Sequence, residues 1–127
     1  MIKENNIYKA LAIYLLRKKL LYRFDIAADI KLTKGQAKKV KDTFKHRRGY
    51  PDLFILEPTC GYSGLFLEIK REYSDAFKID GGLKKSVHLE EQDAYHKSLR
   101  DRGYKVEWGL GLEDSIEKIE RYLEESK

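Results

Sequence analysis

The chain has 127 residues, of which 42% are hydrophobic and 37% are charged. This composition is typical of a globular domain with a real core and excludes a disordered chain. The longest apolar stretch, residues 7–21, is interrupted by four basic residues and lacks a small-residue cleavage site, so we expect neither a membrane span nor a signal peptide. We therefore expect one domain over residues 1–127, located in the cytoplasm. The single cysteine, Cys60, excludes an internal disulfide.

The net charge of +5 is unevenly distributed. Residues 31–48 contain eight Lys or Arg residues against one acid, Asp42, which gives this block a net charge of +7. Such a block can be a solvated helix face, but it is also the pattern of a protein that binds a polyanion. The residues of this block that we expect to contact such a polyanion are Lys34, Lys38, Lys41, Lys45, Arg47 and Arg48.

Hydrophobic spacing and turn signals predict an alternation of helices and strands. The predicted order is a helix over 4–20, a short strand over 21–24, a helix from Thr33 to about 44, a strand–loop–strand unit over 52–71, a mobile loop over 72–88, a helix over 89–102, a strand over 104–108 and a last amphipathic helix from 112. This order predicts an α/β fold with a central mixed sheet flanked by helices.

Two carboxylates and a lysine fall on the strand–loop–strand unit. Asp52 opens the first strand directly after Pro51, and Glu68 and Lys70 share one face of the second because side chains alternate along a strand. Mg²⁺ or Mn²⁺ prefers oxygen ligands, which Asp52, Glu68 and the Ile69 carbonyl offer, and it can activate a water towards a phosphodiester. Lys70 could orient that water or stabilise developing charge.

Each half of this pattern is weak alone. A Pro-Asp pair is usually a turn, and a Glu-x-Lys pair is usually an exposed strand with a local ion pair. The combination is stronger, since both halves lie at strand ends within one hairpin and the basic block precedes them.

Residues 49–56 (GYPDLFIL), 64–70 (GLFLEIK), Gln92 and residues 103–106 (GYKV) together resemble the VRR-NUC domain of the PD-(D/E)xK nuclease superfamily. The resemblance runs over nearly the whole chain and is to the minimal stand-alone form found in phages and bacteria. It implies a restriction-endonuclease-like core and, for a phage protein, a location in the host cytoplasm.

The resemblance also implies site residues. Asp52, Glu68 and the Ile69 carbonyl would bind the metal, and Lys70 would be the catalytic lysine. Gln92 matches a glutamine beside the site, and Glu4 matches an acid at the start of the first helix. His96 shares a helix face with Gln92 and could lie near the site, although a structural or surface role is commoner for such a histidine.

These observations lead to the hypothesis of a Mg²⁺- or Mn²⁺-dependent endonuclease that selects DNA by structure, because no base-reading module is visible. The resemblance favours branched or otherwise structured DNA, of which four-way (Holliday) junctions are one kind, and the two-fold symmetry of such a junction suggests a homodimer. The alternatives are a nuclease of flaps or other branched DNA, a non-catalytic nucleic-acid-binding module of the same fold, and an interaction protein that docks through its acidic last helix.

Overall fold

A computed structural model of the protein describes residues 4–25, 33–43, 49–59 and 61–124, without the side chains of residues 4, 5 and 40–43. Lys45, Arg47, Arg48 and Cys60 therefore lie outside the described residues, as do the side chains of Glu4 and Lys41. The elements in chain order are α1 (Glu4–Arg17), β1 (Tyr22–Phe24), α2 (Lys34–Thr43), β2 (Leu53–Ile55), β3 (Leu65–Lys70), α3 (Val87–Asp101), β4 (Lys105–Leu110) and α4 (Leu112–Glu124).

The strands form one mixed sheet in the order β1-β2-β3-β4. β1, β2 and β3 are antiparallel neighbours, whereas β4 returns through α3 to lie parallel to β3. The predicted α/β class, with a mixed sheet flanked by helices, is confirmed. Within the described residues, no helix is both long and apolar enough to cross a membrane.

Side-chain alternation along β3 divides the core between the two faces of the sheet. Leu65, Leu67 and Ile69 point to one face, where they pack with α1 and α4 in the larger apolar cluster. Phe66 points to the other face, where it packs in a smaller, aromatic-rich cluster with Leu99 of α3. The predicted division of β3 is confirmed, so Glu68 and Lys70 belong to the face that α3 covers.

Two helix starts show why these segments are helical. Thr33 and Gln36 form a reciprocal capping box at α2, with the Gln36 N–H donating to Thr33 Oγ1 at 3.1 Å and the Thr33 N–H donating to Gln36 Oε1 at 3.0 Å. The predicted cap at Thr33 is thus confirmed. Ser86 caps α3 by accepting from the Leu89 N–H at 3.4 Å, so that helix begins two residues earlier than predicted.

Residues 72–88, which were predicted to form a mobile loop, contain local structure that the sequence pattern did not indicate. The segment contains a 3₁₀ turn (Tyr73–Asp75) and an antiparallel bridge between Phe77 and Leu83. Ala76 is fully buried, and the Phe77 ring packs edge-on against Trp108 of β4 at 5.6 Å. Polar composition suggested a loop, but these apolar anchors fold the segment back onto the sheet.

Gly49 fixes the approach of the chain into β2. It has φ of +82°, and a Cβ at this position would lie 2.4 Å from the carbonyl oxygen of Glu91 in α3. Both the left-handed conformation and the backbone contact require glycine. The turn that delivers Asp52 is therefore held directly against α3.

Replacing Gly49 should cost more stability than replacing a glycine of the same conformation in open space. Gly61 provides this control, because its φ is +86° and nothing lies within 4 Å of an added Cβ. We expect Gly61→Ala to lower the free energy of unfolding by about 1–2 kcal/mol from conformational strain alone. Gly49→Ala should lose about 1–3 kcal/mol more from overpacking, measured by urea unfolding. Equal losses in the two variants would contradict the close contact with α3.

Candidate metal and phosphodiester site

The fold brings Asp52 and Glu68 together at one end of the sheet. Leu53 pairs with Leu67, so Asp52 lies just beyond the last paired residue of β2 and beside the end of β3. The Ile69 N–H donates to Asp52 Oδ2 at 2.7 Å, and Asp52 also interacts with the carboxyl of Glu68 and the hydroxyl of Tyr8. The predicted placement of Asp52 at a strand end is what allows these contacts.

Burial and like charge make this carboxylate pair electrostatically unfavourable. Glu68 is only 1% exposed. Burial first, and then the neighbouring charge of Glu68, raise the pKa of Asp52 to about 8, although the hydrogen bonds from Ile69 and Tyr8 oppose the shift. Without a cation, Asp52 therefore carries a proton near neutral pH, and a bound cation would take the place of that proton.

The Ile69 carbonyl lies on the same edge of β3 as the carboxylate of Asp52. In a strand, the N–H and C=O of one residue point to the same edge, and the Ile69 N–H already points to Asp52. The register of β2 with β3 ends at Leu67, so the carbonyl is beyond the ladder on that side. Two carboxylates and this carbonyl form a set of hard oxygen donors, which suits Mg²⁺ or Mn²⁺. The described residues contain no metal-binding cluster of three or more His, Cys, Asp or Glu side chains.

Lys70 shares the face of Glu68 and lies at the half-buried end of β3. Its Nζ is 5.8 Å from the centroid of the Trp108 ring, a cation–π distance that keeps the ammonium on this face. Glu68 and Trp108 are direct partners in the β3–β4 register. Trp108 therefore lies beside both Glu68 and Lys70.

Gln92 lies on α3 against the turn that carries Asp52, since its Cα would be 3.0 Å from a Cβ on Gly49. Its side chain is 5% exposed, and the Oε1 atom has no hydrogen-bond partner in the described part of the chain. A buried polar atom without a partner is unfavourable unless a water, ion or ligand satisfies it. Gln92 thus lies against the turn that leads to Asp52, with an amide oxygen able to accept a hydrogen bond from a further polar group.

Glu4 is the first residue of α1, one helical turn before Tyr8. Because Tyr8 contacts Asp52, the start of α1 faces the site. The predicted role of the Glu4 side chain stays a prediction, as do the predicted contacts of the basic block. Lys34 and Lys38 are exposed on α2, as DNA contacts would need to be.

His96 contacts Glu68, whereas a structural or surface role was the commoner expectation for this histidine. Its Nε2 is 3.1 Å from Glu68 Oε1, and its side chain is fully buried. Burial, reinforced by the charge of Arg100, lowers the pKa of His96 to about 4, so the ring is neutral at pH 7. A carboxylate only accepts, so the proton of the neutral ring lies on Nε2. In the sequence, the spacing of four residues from Gln92 indicated that His96 lies on the same helix face. Tyr8 shows the same spacing from Glu4, the other helix residue predicted to lie at the site.

The outer edge of β4 is covered by side chains. Arg100 donates to the Val106 carbonyl at 3.0 Å, Lys118 donates to the Trp108 carbonyl, and Asp114 accepts from the Leu110 N–H at 2.8 Å. A groove of about 300 Å³ opens here beside Trp108. Addition of another strand at this edge would have to displace these contacts.

A solved structure described as a "VRR_NUC domain protein" is similar to this chain. The likeness covers 100% of this chain and 93% of that one, with a TM-score of 0.65 and 21% sequence identity. No protein-family model matches the chain, and no curated protein does. At this identity the likeness establishes the fold, so the chain has the α/β fold of a VRR_NUC domain, as the sequence motifs predicted.

The stability of the protein without metal should depend on the proton of Asp52. The pKa of Asp52 is raised on folding from 3.8 to about 8, so the folded state binds more protons than the unfolded state between these values. Stability without metal should therefore fall as pH rises from about 5 to 8. In EDTA, Asp52→Asn should lose most of this dependence and be more stable than the wild type at pH 8, by about 1–4 kcal/mol.

Urea unfolding from pH 5 to 9 measures this difference. The matched control is Asp101→Asn, which removes an exposed carboxylate from the opposite end of α3. The raised pKa of Asp52 would be contradicted if the control variant showed the same flattened pH profile. It would also be contradicted if the profile of Asp52→Asn were as steep as that of the wild type.

Proposed function

We propose that the protein is a divalent-metal-dependent nuclease that hydrolyses phosphodiester bonds in DNA. The observation that carries this proposal is the buried Asp52–Glu68 pair with Lys70 on the same face of the sheet. Apolar residues at these two positions would be expected to give a protein at least as stable as one with two adjacent buried carboxylates. The pair is understandable if a cation binds there in the active state.

Each group that such hydrolysis requires can be assigned to a described residue as a proposed role. Asp52, Glu68 and the Ile69 carbonyl would hold Mg²⁺ or Mn²⁺, which when bound would lower the pKa of water and neutralise phosphate charge. Lys70 would orient the attacking water or stabilise the charge that develops on the phosphate. Gln92 would accept a hydrogen bond from a water through its unpaired Oε1.

The basic block of residues 31–48 would hold the DNA backbone. Phosphate contacts from Lys and Arg are independent of sequence, so selectivity would come from the structure of the DNA. The resemblance to the VRR-NUC domain favours branched DNA, and four-way junctions in particular, with flaps as the alternative. A homodimer would match the two-fold symmetry of a junction. Because side chains bond the outer edge of β4, such a dimer would not form by pairing one β4 strand with another.

Cleavage assays with labelled four-way junction, flap, nicked and linear DNA test this proposal. In Mg²⁺ or Mn²⁺ the wild type should cut at least one branched substrate, and EDTA should abolish cutting. Asp52→Asn and Lys70→Ala should each lower the cleavage rate by about 10²-fold or more while still binding DNA. Because Asp52→Asn is expected to be the more stable protein, its loss of activity would not reflect unfolding.

Matched controls are Asp101→Asn and Lys18→Ala, which change exposed residues at the far ends of α3 and α1. Both should cut at the wild-type rate. A wild type that binds DNA but cuts none of the substrates would favour the non-catalytic binding module. Cutting by both site variants at the wild-type rate would contradict the assignment of the site.

A further inference from the structure

Glu68 is held from the side of α3 by a contact with His96. Its side chain has several rotatable bonds, and it is buried, so bulk water cannot align the carboxylate. The carboxylate contacts Asp52 on one side, but once a cation replaces the proton of Asp52 this neighbour carries like charge and cannot by itself hold Glu68 in place. The 3.1 Å contact with His96 Nε2 is the hydrogen bond that comes from α3.

His96 is itself held firmly. Its ring is fully buried and packs edge-on against Trp108 at a centroid distance of 4.8 Å. Trp108 is the register partner of Glu68 on β4. α3 and β4 thus fix the ring from two directions, and its Nε2–H is aimed at Glu68. Packing alone would be satisfied by an apolar residue, so the polar ring calls for a reason beyond the core.

We propose that His96 is a positioning residue, which orients the Glu68 carboxylate towards Asp52 for binding of a divalent cation. This inference rests on the proposed function, because it concerns the same metal site. Hydrogen bonds from outside the ligand set hold metal ligands in their binding orientation, and their loss typically lowers metal affinity 10–100-fold. His96 would not touch the metal, the water or the DNA.

Calorimetric titration of Mn²⁺ into the protein without DNA tests this role independently of cleavage. His96→Phe keeps an aromatic ring against Trp108 but removes the donor, and it should weaken Mn²⁺ binding by about 10–100-fold. His96→Gln places an amide N–H near the position of Nε2 and should bind within about threefold of the wild type. His88→Gln, an exposed histidine on the same helix, should bind as the wild type does.

The outcomes separate this inference from the proposed function. Equal Mn²⁺ affinity in the wild type and His96→Phe, or equal weakening by Phe and Gln, would overturn the positioning role and leave the metal site standing. A wild type that binds no Mn²⁺ would overturn the metal site and this role with it. A purely structural His96 would lower the melting temperature of the variants without this donor-dependent pattern of affinities.

A second measurement on the unaltered protein covers the case in which His96→Phe does not fold. Long-range ¹H–¹⁵N spectra report which ring nitrogen carries the proton. At pH 7 without metal, His96 should be neutral with its proton on Nε2, slow to exchange because the ring is buried. A proton on Nδ1, or a rapidly exchanging one, would overturn the hydrogen bond on which the role depends.

Discussion

The structure of the site depends on one constraint, the placement of two carboxylates beside each other away from water. Burial and the neighbouring charge of Glu68 raise the cost of ionising Asp52, and the pKa of Asp52 of about 8 expresses that cost. Hydrogen bonds from neighbouring residues offset part of this cost and hold the two carboxylates in position. The Ile69 N–H and the Tyr8 hydroxyl stabilise the charged form of Asp52, and His96 donates to Glu68. None of these neutral donors can supply the positive charge that a cation would.

The fold maintains the pair through backbone geometry more than through side chains. The antiparallel register of β2 with β3 sets Asp52 beside the end of β3, and the parallel register of β3 with β4 sets Trp108 beside Glu68. Gly49 allows the preceding turn to contact α3 at a distance that no other residue permits. α3 then contributes both to the small apolar cluster and to the site, through Leu99 and through Gln92 and His96. The same helix therefore contributes to the core and to the proposed site.

Much of this arrangement could be predicted from local patterns. Alternation in residues 65–70 placed Glu68 and Lys70 on one face, and Thr33 identified the start of α2, because strand faces and helix caps are set by neighbouring residues. The contacts of His96 and Tyr8 could not be predicted in the same way. Each depends on how a helix docks on the sheet, and periodicity shows only which face is apolar. The folding of residues 72–88 was missed for a related reason, since Phe77 packs against Trp108 of β4, which is distant in the sequence.

Proton release on metal binding tests the carboxylate pair most directly. Calorimetric titration of Mn²⁺ at pH 7, repeated in buffers of different ionisation enthalpy, counts the protons exchanged per ion bound. Because Asp52 is protonated in the absence of metal at this pH, binding should release about one proton per Mn²⁺, and the release should disappear above about pH 9. Binding without proton release at pH 7, or no binding at all, would show that Asp52 and Glu68 do not form the cation site.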